Sequence, residues 1–289
     1  MTNAWIITTD SRIDGILTLM ADQFDDVTAI VLGSADISGV HSAMRIEHDA
    51  NIPAETYAGA VADIIANNPG VVIARQGAAE RVIATAVAAR LQAPIVTDVR
   101  ELGANHAVVS RFGGISMENL EFTGPIVAMV DGGGTPEGAA VDTSKVEAHG
   151  YSATVTAKDT NDGEQTDISS AKKLVAVGRG FAEEKDVDLA RSLAAAMGAE
   201  IACSRPLAEG NGWLSRETYV GISGQRVAPD VYVAVGISGQ IQHTAGMDES
   251  KIVVAINKDD KAAIFDIADY GIVGDLYDVL PALTKALES

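Results

Sequence analysis

The segment Val231-Tyr-Val-Ala-Val-Gly-Ile-Ser-Gly-Gln-Ile-Gln-His-Thr-Ala-Gly-Met247 decides how the second half of this sequence folds. A β-rich apolar run ends at Val235, a glycine turn follows, a helix is predicted to begin at Gln240, and a second apolar run ends at Asn257. This order predicts a parallel βαβ unit. In open parallel sheets, ligands bind beyond the carboxyl ends of the strands, and free N–H groups at helix starts attract anions. The segment therefore predicts an anion site beside the imidazole of His243.

Polar groups also follow the other apolar runs of the second half. If the strands are parallel, all these groups meet at one edge of the sheet. Two arginines, a histidine and several serines near helix starts suit the pyrophosphate of a dinucleotide. The groups are Gly178-Arg179-Gly180, Ser204-Arg205, Gly221-Ile222-Ser223-Gly224, Ser238 with Gln242 and His243, Asn257, and Gly274-Asp275.

Each of these residues also has a simpler explanation. A lone arginine is usually a solvated surface residue, and His243 at a helix start is often a cap. Asp275 is a good N-cap for the last helix, and Asn257 is suited to closing a turn. The repetition of polar groups at six strand ends favours a binding site over six separate explanations.

The first half predicts an α/β domain that is mostly parallel, with added antiparallel strands. Apolar runs alternate with helical segments as far as a strand at 94–99, which is typical of βαβ units. The β-rich runs 106–112, 115–122 and 126–130 are joined by short turns, so we expect antiparallel strands there, and 151–157 is predicted as one more strand. A polar stretch at 160–170 predicts a linker, which gives an N-terminal domain of residues 1–168 and a doubly wound parallel-sheet domain of residues 169–289.

Composition limits the possible partners. The 289 residues include 40 acidic and 21 basic ones, a net charge of −19, which disfavours nucleic acid and anionic membrane surfaces. A single cysteine, Cys203, cannot form an internal disulfide. We see no signal peptide, and no apolar run approaches the roughly 20 residues that span a bilayer, so we expect a cytoplasmic protein without membrane insertion. Neither a metal-binding pattern nor a phosphate loop is present.

The assembled motifs identify a resemblance that covers about the last 40% of the chain. Residues 174–287 resemble the FAD-binding domain of the electron-transfer flavoprotein α-subunit family. The resemblance implies bound FAD, a heterodimer with the electron-transfer flavoprotein β subunit, and a carrier of electrons between a flavin dehydrogenase, such as an acyl-CoA dehydrogenase, and an acceptor, rather than an enzyme that converts a substrate. The matching motifs are 178–180, 204–205, 227–232, 234–243, 245–247, 252–259 and 268–276.

The resemblance also implies roles for individual residues. Arg205 is expected near the isoalloxazine and His243 at the flavin O2 edge, where cations favour the reduced, negatively charged flavin. The remaining cofactor-binding residues that it implies are Arg179, Ser204, Ser238 and Gln242 along the flavin or phosphates, Asn257 and Asp275 at the ADP half, and Ser223, Gly224, Gly239 and Gln240 within the shared motifs.

Two alternatives stay open at this point. The commoner family pattern has glutamine, threonine and lysine where this chain has Ile222, Ser223 and Gln225. Similar Gly-Ile-Ser-Gly segments occur in the family branch that includes electron-bifurcating members, so an NADH-linked, bifurcating complex is the first alternative. The second is a non-redox module that binds a nucleotide in the same place.

Overall fold

The computed structural model of the chain describes residues 2–20, 23–47, 49, 51–130, 132–157 and 167–288. The chain separates into two compact units, residues 1–160 and 161–289. Most of the linker predicted at 160–170 lies outside the described residues, and the domain boundary after residue 168 stays a prediction. No helix in the described part of the chain combines the length and the apolar character needed to cross a membrane.

The first unit contains a seven-stranded parallel sheet and a three-stranded antiparallel sheet. Its elements are β1 (Asn3–Thr8), α1 (Asp14–Met20), β2 (Asp26–Leu32), β3 (Ser42–Ile46), α2 (Ala58–Ala66), β4 (Val71–Arg75), α3 (Ala78–Leu91), β5 (Ile95–Thr97), β6 (Val99–Leu102), β7 (His106–Arg111), β8 (Ser116–Glu121), β9 (Ile126–Val130) and β10 (Thr143–Lys145). The parallel sheet has the order β10-β3-β2-β1-β4-β9-β5, and the antiparallel sheet has the order β6-β7-β8. This confirms the predicted fold class of the first half.

The strand β9 was predicted to be antiparallel, and that prediction was wrong. It runs parallel between β4 and β5 in the large sheet, and all five of its residues are buried. A strand buried on both faces is typical of the interior of a parallel sheet. The close spacing of three apolar runs therefore indicated three consecutive strands but not their partners.

Two other predictions in this unit need correction. The single strand predicted at 94–99 is divided between the two sheets, because Asp98 has a φ of 55° and turns the chain between β5 and β6. No strand forms at 151–157. The N–H groups of Tyr151 and Val155 donate instead to the carbonyls of Thr56 and Asn51, so they do not join a ladder. The strand β3 was missed because its polar residues interrupt the apolar run.

The second unit is a six-stranded sheet in which every pair of neighbouring strands is parallel. Its elements are β11 (Lys173–Val177), α4 (Val187–Met197), β12 (Glu200–Ser204), β13 (Tyr219–Val220), β14 (Val231–Val235), α5 (Ile241–Thr244), β15 (Val253–Asn257), β16 (Tyr270–Val273) and α6 (Leu276–Leu287). The strand order is β13-β12-β11-β14-β15-β16, so the chain order reverses between β11 and β14. Between β15 and β16 the chain forms only a short 3₁₀ turn, Ala263–Asp266.

The core of the second unit lies on both faces of this sheet. Along β14, Tyr232 and Ala234 pack into one buried cluster, and Val233 and Val235 pack into the other. Side chains of a strand alternate between faces, so burial on both faces requires a continuous apolar run. This explains why the segment 231–235 is continuously apolar apart from the Tyr232 hydroxyl, and why it predicted the fold correctly.

Candidate functional site

The topological switch point of the second sheet is built from closely packed glycines. The Gly178 N–H donates to the Val235 carbonyl at 2.9 Å, and the Gly180 N–H donates to the Gly236 carbonyl at 3.0 Å. A Cβ on Gly180 would lie 2.6 Å from the Gly236 Cα, and Gly236 itself has a φ of +62°. Only glycine permits this approach. The turns after β11 and β14 therefore lie against each other at the place where open parallel sheets bind ligands.

The predicted polar residues lie along one edge of the sheet, because every strand in it is parallel and each residue lies at or beyond a carboxyl end. The edge is open to solvent at most of these positions, as an elongated ligand requires. The exposed residues are Arg179, Arg205, Ser223, Ser238, Gln240, Gln242 and Asp275; Ser204, Gly224 and Asn257 are half-buried; Gly239 and His243 are buried.

Two residues at this edge have the simpler structural roles. The Asn257 amide donates to the Ile237 carbonyl at 2.8 Å and accepts from the Asp259 N–H at 3.0 Å, which closes the turn after β15. The Asp275 carboxylate accepts from the Tyr277 N–H at 3.0 Å and caps α6. Contact of either side chain with a nucleotide stays a prediction.

Arg205 is paired with an acidic residue that sequence reasoning missed. Its Nε lies 2.5 Å from one carboxylate oxygen of Glu209, and the other oxygen lies 3.0 Å from a terminal nitrogen of Arg216. A π-helical turn, Pro206–Gly210, presents Glu209 four residues after Arg205. The i, i+4 spacing is the signal that would have predicted this pair. The positive charge at the end of β12 is therefore shared by two arginines and moderated by one carboxylate.

The loop after β13 is tied to α5. The Ile222 N–H donates to the Gln242 carbonyl at 2.8 Å, and the Gly224 N–H donates to the Gly221 carbonyl at 3.0 Å. The hydroxyl of the buried Tyr219 donates to the Ser223 carbonyl and so connects the loop to the core. These bonds bring Ser223 and Gly224 beside Gln242, as the predicted site requires.

His243 is turned into the protein. Its ring is 8% exposed, and its Nε2 lies 2.9 Å from the Tyr232 hydroxyl. Burial lowers the pKa of His243 to about 4, while the nearby Val220 backbone acts weakly in the opposite direction. The imidazole is therefore neutral near pH 7, whereas the sequence prediction treated it as one of the cations at the flavin.

The other ring nitrogen also lies inside the protein. In the described part of the second unit, His243 Nδ1 is buried and has no well-formed hydrogen bond, although the Val220 backbone lies beside the ring. The exposed cationic and serine groups at the same edge suit the phosphates of a dinucleotide.

Acid should destabilise the second unit through His243. The unfolded chain takes up a proton near pH 6.5, whereas the folded imidazole resists it down to about pH 4. The contribution of His243 is therefore fully present above pH 6.5 and is lost as the pH falls through this window, by about 3 kcal/mol in total. Urea denaturation at pH 6.5 and at pH 4 measures the free energy of unfolding at the two ends of this window. His243→Gln should lose about 3 kcal/mol less than the natural chain, and equal losses would contradict the shift.

Comparison with known proteins gives matches over both halves of the chain. Residues 18–158 match the family described as the electron transfer flavoprotein domain, and residues 167–248 match the electron transfer flavoprotein FAD-binding domain. Protein FixB of Escherichia coli (strain 55989 / EAEC) is 36% identical over 286 residues, which cover 94% of this chain and 90% of that protein. Protein FixB of Escherichia coli (strain K12) is 38% identical over 247 residues, which cover 81% of this chain and 79% of that protein.

Proposed function

Since the chain belongs to the electron transfer flavoprotein α family, we propose that it binds FAD in its second unit and acts as the α subunit of a heterodimeric electron carrier. Its direct partner is an electron-transfer flavoprotein β subunit. The pair moves electrons between a flavin dehydrogenase, for example an acyl-CoA dehydrogenase, and an acceptor. A chain with a single cysteine suits the reducing cytoplasm, where we place the complex.

The observation that carries this proposal is the open polar edge at the switch point of the second sheet. The paired glycine turns present Arg179 and Ser238 on either side of the point where the strand order reverses. A dinucleotide pyrophosphate is recognised by such groups together with free N–H groups. Bound FAD would supply reversible uptake of one or two electrons, which no side chain of this protein provides.

The chain's own residues set the charge around the flavin in this proposal. Arg205 supplies the positive charge that favours a reduced, negative flavin, and Glu209 limits how much of that charge the ligand meets. His243, being neutral, contributes a hydrogen bond rather than a cation. Electron transfer then depends on binding, orientation and charge, without proton removal from a substrate.

Removing the Arg205 charge should make the flavin harder to reduce. We expect Arg205→Ala to lower the two-electron midpoint potential of the flavin by roughly 30 mV. This shift corresponds to a tenfold loss in the protein's preference for binding reduced over oxidised flavin, at about 30 mV per tenfold change for two electrons. A redox titration of the heterodimer measures this shift. Arg191→Ala is the matched control, because Arg191 lies on α4 and pairs with Asp188 outside the proposed site. An unchanged potential in Arg205→Ala would remove Arg205 from this role.

The whole proposal is tested by co-expressing the chain with the β subunit from the same source. We expect the two chains to purify together with a yellow flavin spectrum, and with FAD released on denaturation. A purified pair that lacks flavin would contradict the proposal and favour the non-redox module. Rapid reduction of the pair by NADH would favour the electron-bifurcating alternative over the simple carrier.

A further inference from the structure

A buried tyrosine and a buried histidine form a hydrogen-bonded polar pair inside the second unit. Tyr232, in β14, is fully buried, and its hydroxyl lies 2.9 Å from Nε2 of His243 in α5. In the described part of the chain, this hydroxyl makes no other hydrogen bond. We infer that Tyr232 is a positioning residue: it holds His243 in the tautomer that carries its proton on Nδ1, so the ring meets its ligand as a neutral hydrogen-bond donor.

The balance of donors and acceptors favours this tautomer. If the tyrosine hydroxyl donates to Nε2, the hydroxyl proton is used and one buried donor, Nδ1–H, remains. If Nε2–H donated instead, the tyrosine proton would have no acceptor and the lone pair of Nδ1 would have no donor. The first arrangement leaves fewer unsatisfied groups, and each unsatisfied buried group is costly.

The ionisation states of the two groups are consistent with this arrangement. Burial raises the pKa of Tyr232 well above its ordinary value, so the phenol keeps its proton and remains a donor. Burial lowers the pKa of His243 to about 4, so Nε2 remains an acceptor at neutral pH. The pair is therefore two neutral groups that share one hydrogen bond.

The remaining hydrogen-bonding atom of the pair is Nδ1 of His243. It is buried and lacks a well-formed hydrogen bond within the described chain, so direct contact with a ligand would require the ring or the neighbouring chain to move. A carbonyl oxygen is the acceptor that a neutral imidazole N–H would recognise. The identity of that acceptor, a carbonyl at the O2 edge of the flavin, rests on the proposed function. The tautomer does not, since it follows from the protein alone.

Nitrogen NMR of the histidine side chains tests the tautomer directly. The full chain is labelled with ¹⁵N-histidine, paired with its β subunit and studied without FAD. The His243 signals are assigned by comparison with His243→Gln among the five histidines of the chain. We expect a pyrrole-type Nδ1 and a pyridine-type Nε2 at pH 7. The reverse pattern, or a doubly protonated ring, would overturn the inference whether or not the protein binds FAD.

The role of Tyr232 is tested by Tyr232→Phe, which removes the hydroxyl and keeps the ring. We expect the single tautomer to give way to a mixture and the dissociation constant for FAD to rise roughly five- to tenfold, the effect of one weakened hydrogen bond. Tyr57→Phe, at a buried tyrosine of the first unit, is the control and should leave both measurements unchanged. A single unchanged tautomer in Tyr232→Phe would show that Tyr232 does not set it.

These outcomes separate this inference from the proposed function. If the Tyr232→Phe variant does not fold, the NMR measurement of the His243 tautomer in the natural chain still decides the inference. A natural heterodimer that shows the predicted tautomer but binds no FAD would contradict the proposed function alone. A heterodimer that binds FAD but shows the opposite tautomer would contradict the inference alone.

Discussion

Replacing Gly239 by alanine should destabilise the second unit by about 3 kcal/mol or more, the sum of a strained backbone and an overlap that cannot relax. Gly239 has a φ of +81°, which is unfavourable for any residue with a Cβ. A Cβ there would overlap the Ile264 backbone nitrogen and lie 2.6 Å from the Ala263 carbonyl carbon. Backbone atoms cannot move aside as a flexible side chain can, and the Ile264 N–H is already bound to the Ser238 carbonyl at 3.1 Å.

Gly198 provides a matched control for this prediction. It ends α4 with a φ of +61°, but a Cβ there would meet no atom within 4 Å. Gly198→Ala should therefore cost only the left-handed backbone strain, about 1 kcal/mol. Urea denaturation followed by the fluorescence of Trp213, in a Trp5→Phe background, compares the two variants. Equal losses would show that the overlap at Gly239 relaxes. The proposed FAD site shares this turn, so Gly239→Ala should also weaken cofactor binding.

The fold of the second unit was predictable because its central strands, β11, β14 and β15, are largely buried on both faces. Such strands need continuous apolar runs, and 231–235 is one of them. The first unit was harder because an apolar run does not specify its partner. The run that became β9 sits in the large parallel sheet although its neighbours in sequence, β7 and β8, form an antiparallel pair.

The positions of the candidate site were predictable, but the partners of its side chains were not. Polar residues after each strand predicted the edge along which these residues lie, because all parallel strands end on the same side. The Tyr232–His243 bond joins residues 11 positions apart on different elements, and no local pattern encodes it. Burial of His243 also depends on packing, so the sequence suggested a cation where the fold produces a neutral ring.

The strand order of the first sheet also reverses, between β1 and β4. At this switch point, charged side chains of the protein form ion pairs with one another. Glu80 is 2% exposed and accepts from the Thr9 N–H at 2.9 Å and the Thr9 hydroxyl at 2.7 Å. One terminal nitrogen of Arg75 lies 3.4 Å from the same carboxylate and 2.6 Å from Asp10. The carboxylates of Asp10 and Glu80 therefore already bind the Thr9 and Arg75 groups that an anionic ligand would otherwise need.

Arg75→Met should therefore destabilise the first unit by about 3–5 kcal/mol, because it leaves Glu80 buried without its cation. The double variant Arg75→Met with Glu80→Gln should lose less than Arg75→Met alone, since a neutral amide oxygen still accepts from Thr9 and leaves no unpaired charge. Trp5 lies in β1 and reports unfolding of this unit when Trp213 is replaced by phenylalanine. Urea denaturation of Arg75→Met, of Glu80→Gln and of the double variant gives the coupling energy between the two side chains. Strictly additive losses would mean that the Arg75 and Glu80 side chains do not stabilise each other, and that Glu80 is stabilised by its hydrogen bonds with Thr9 alone.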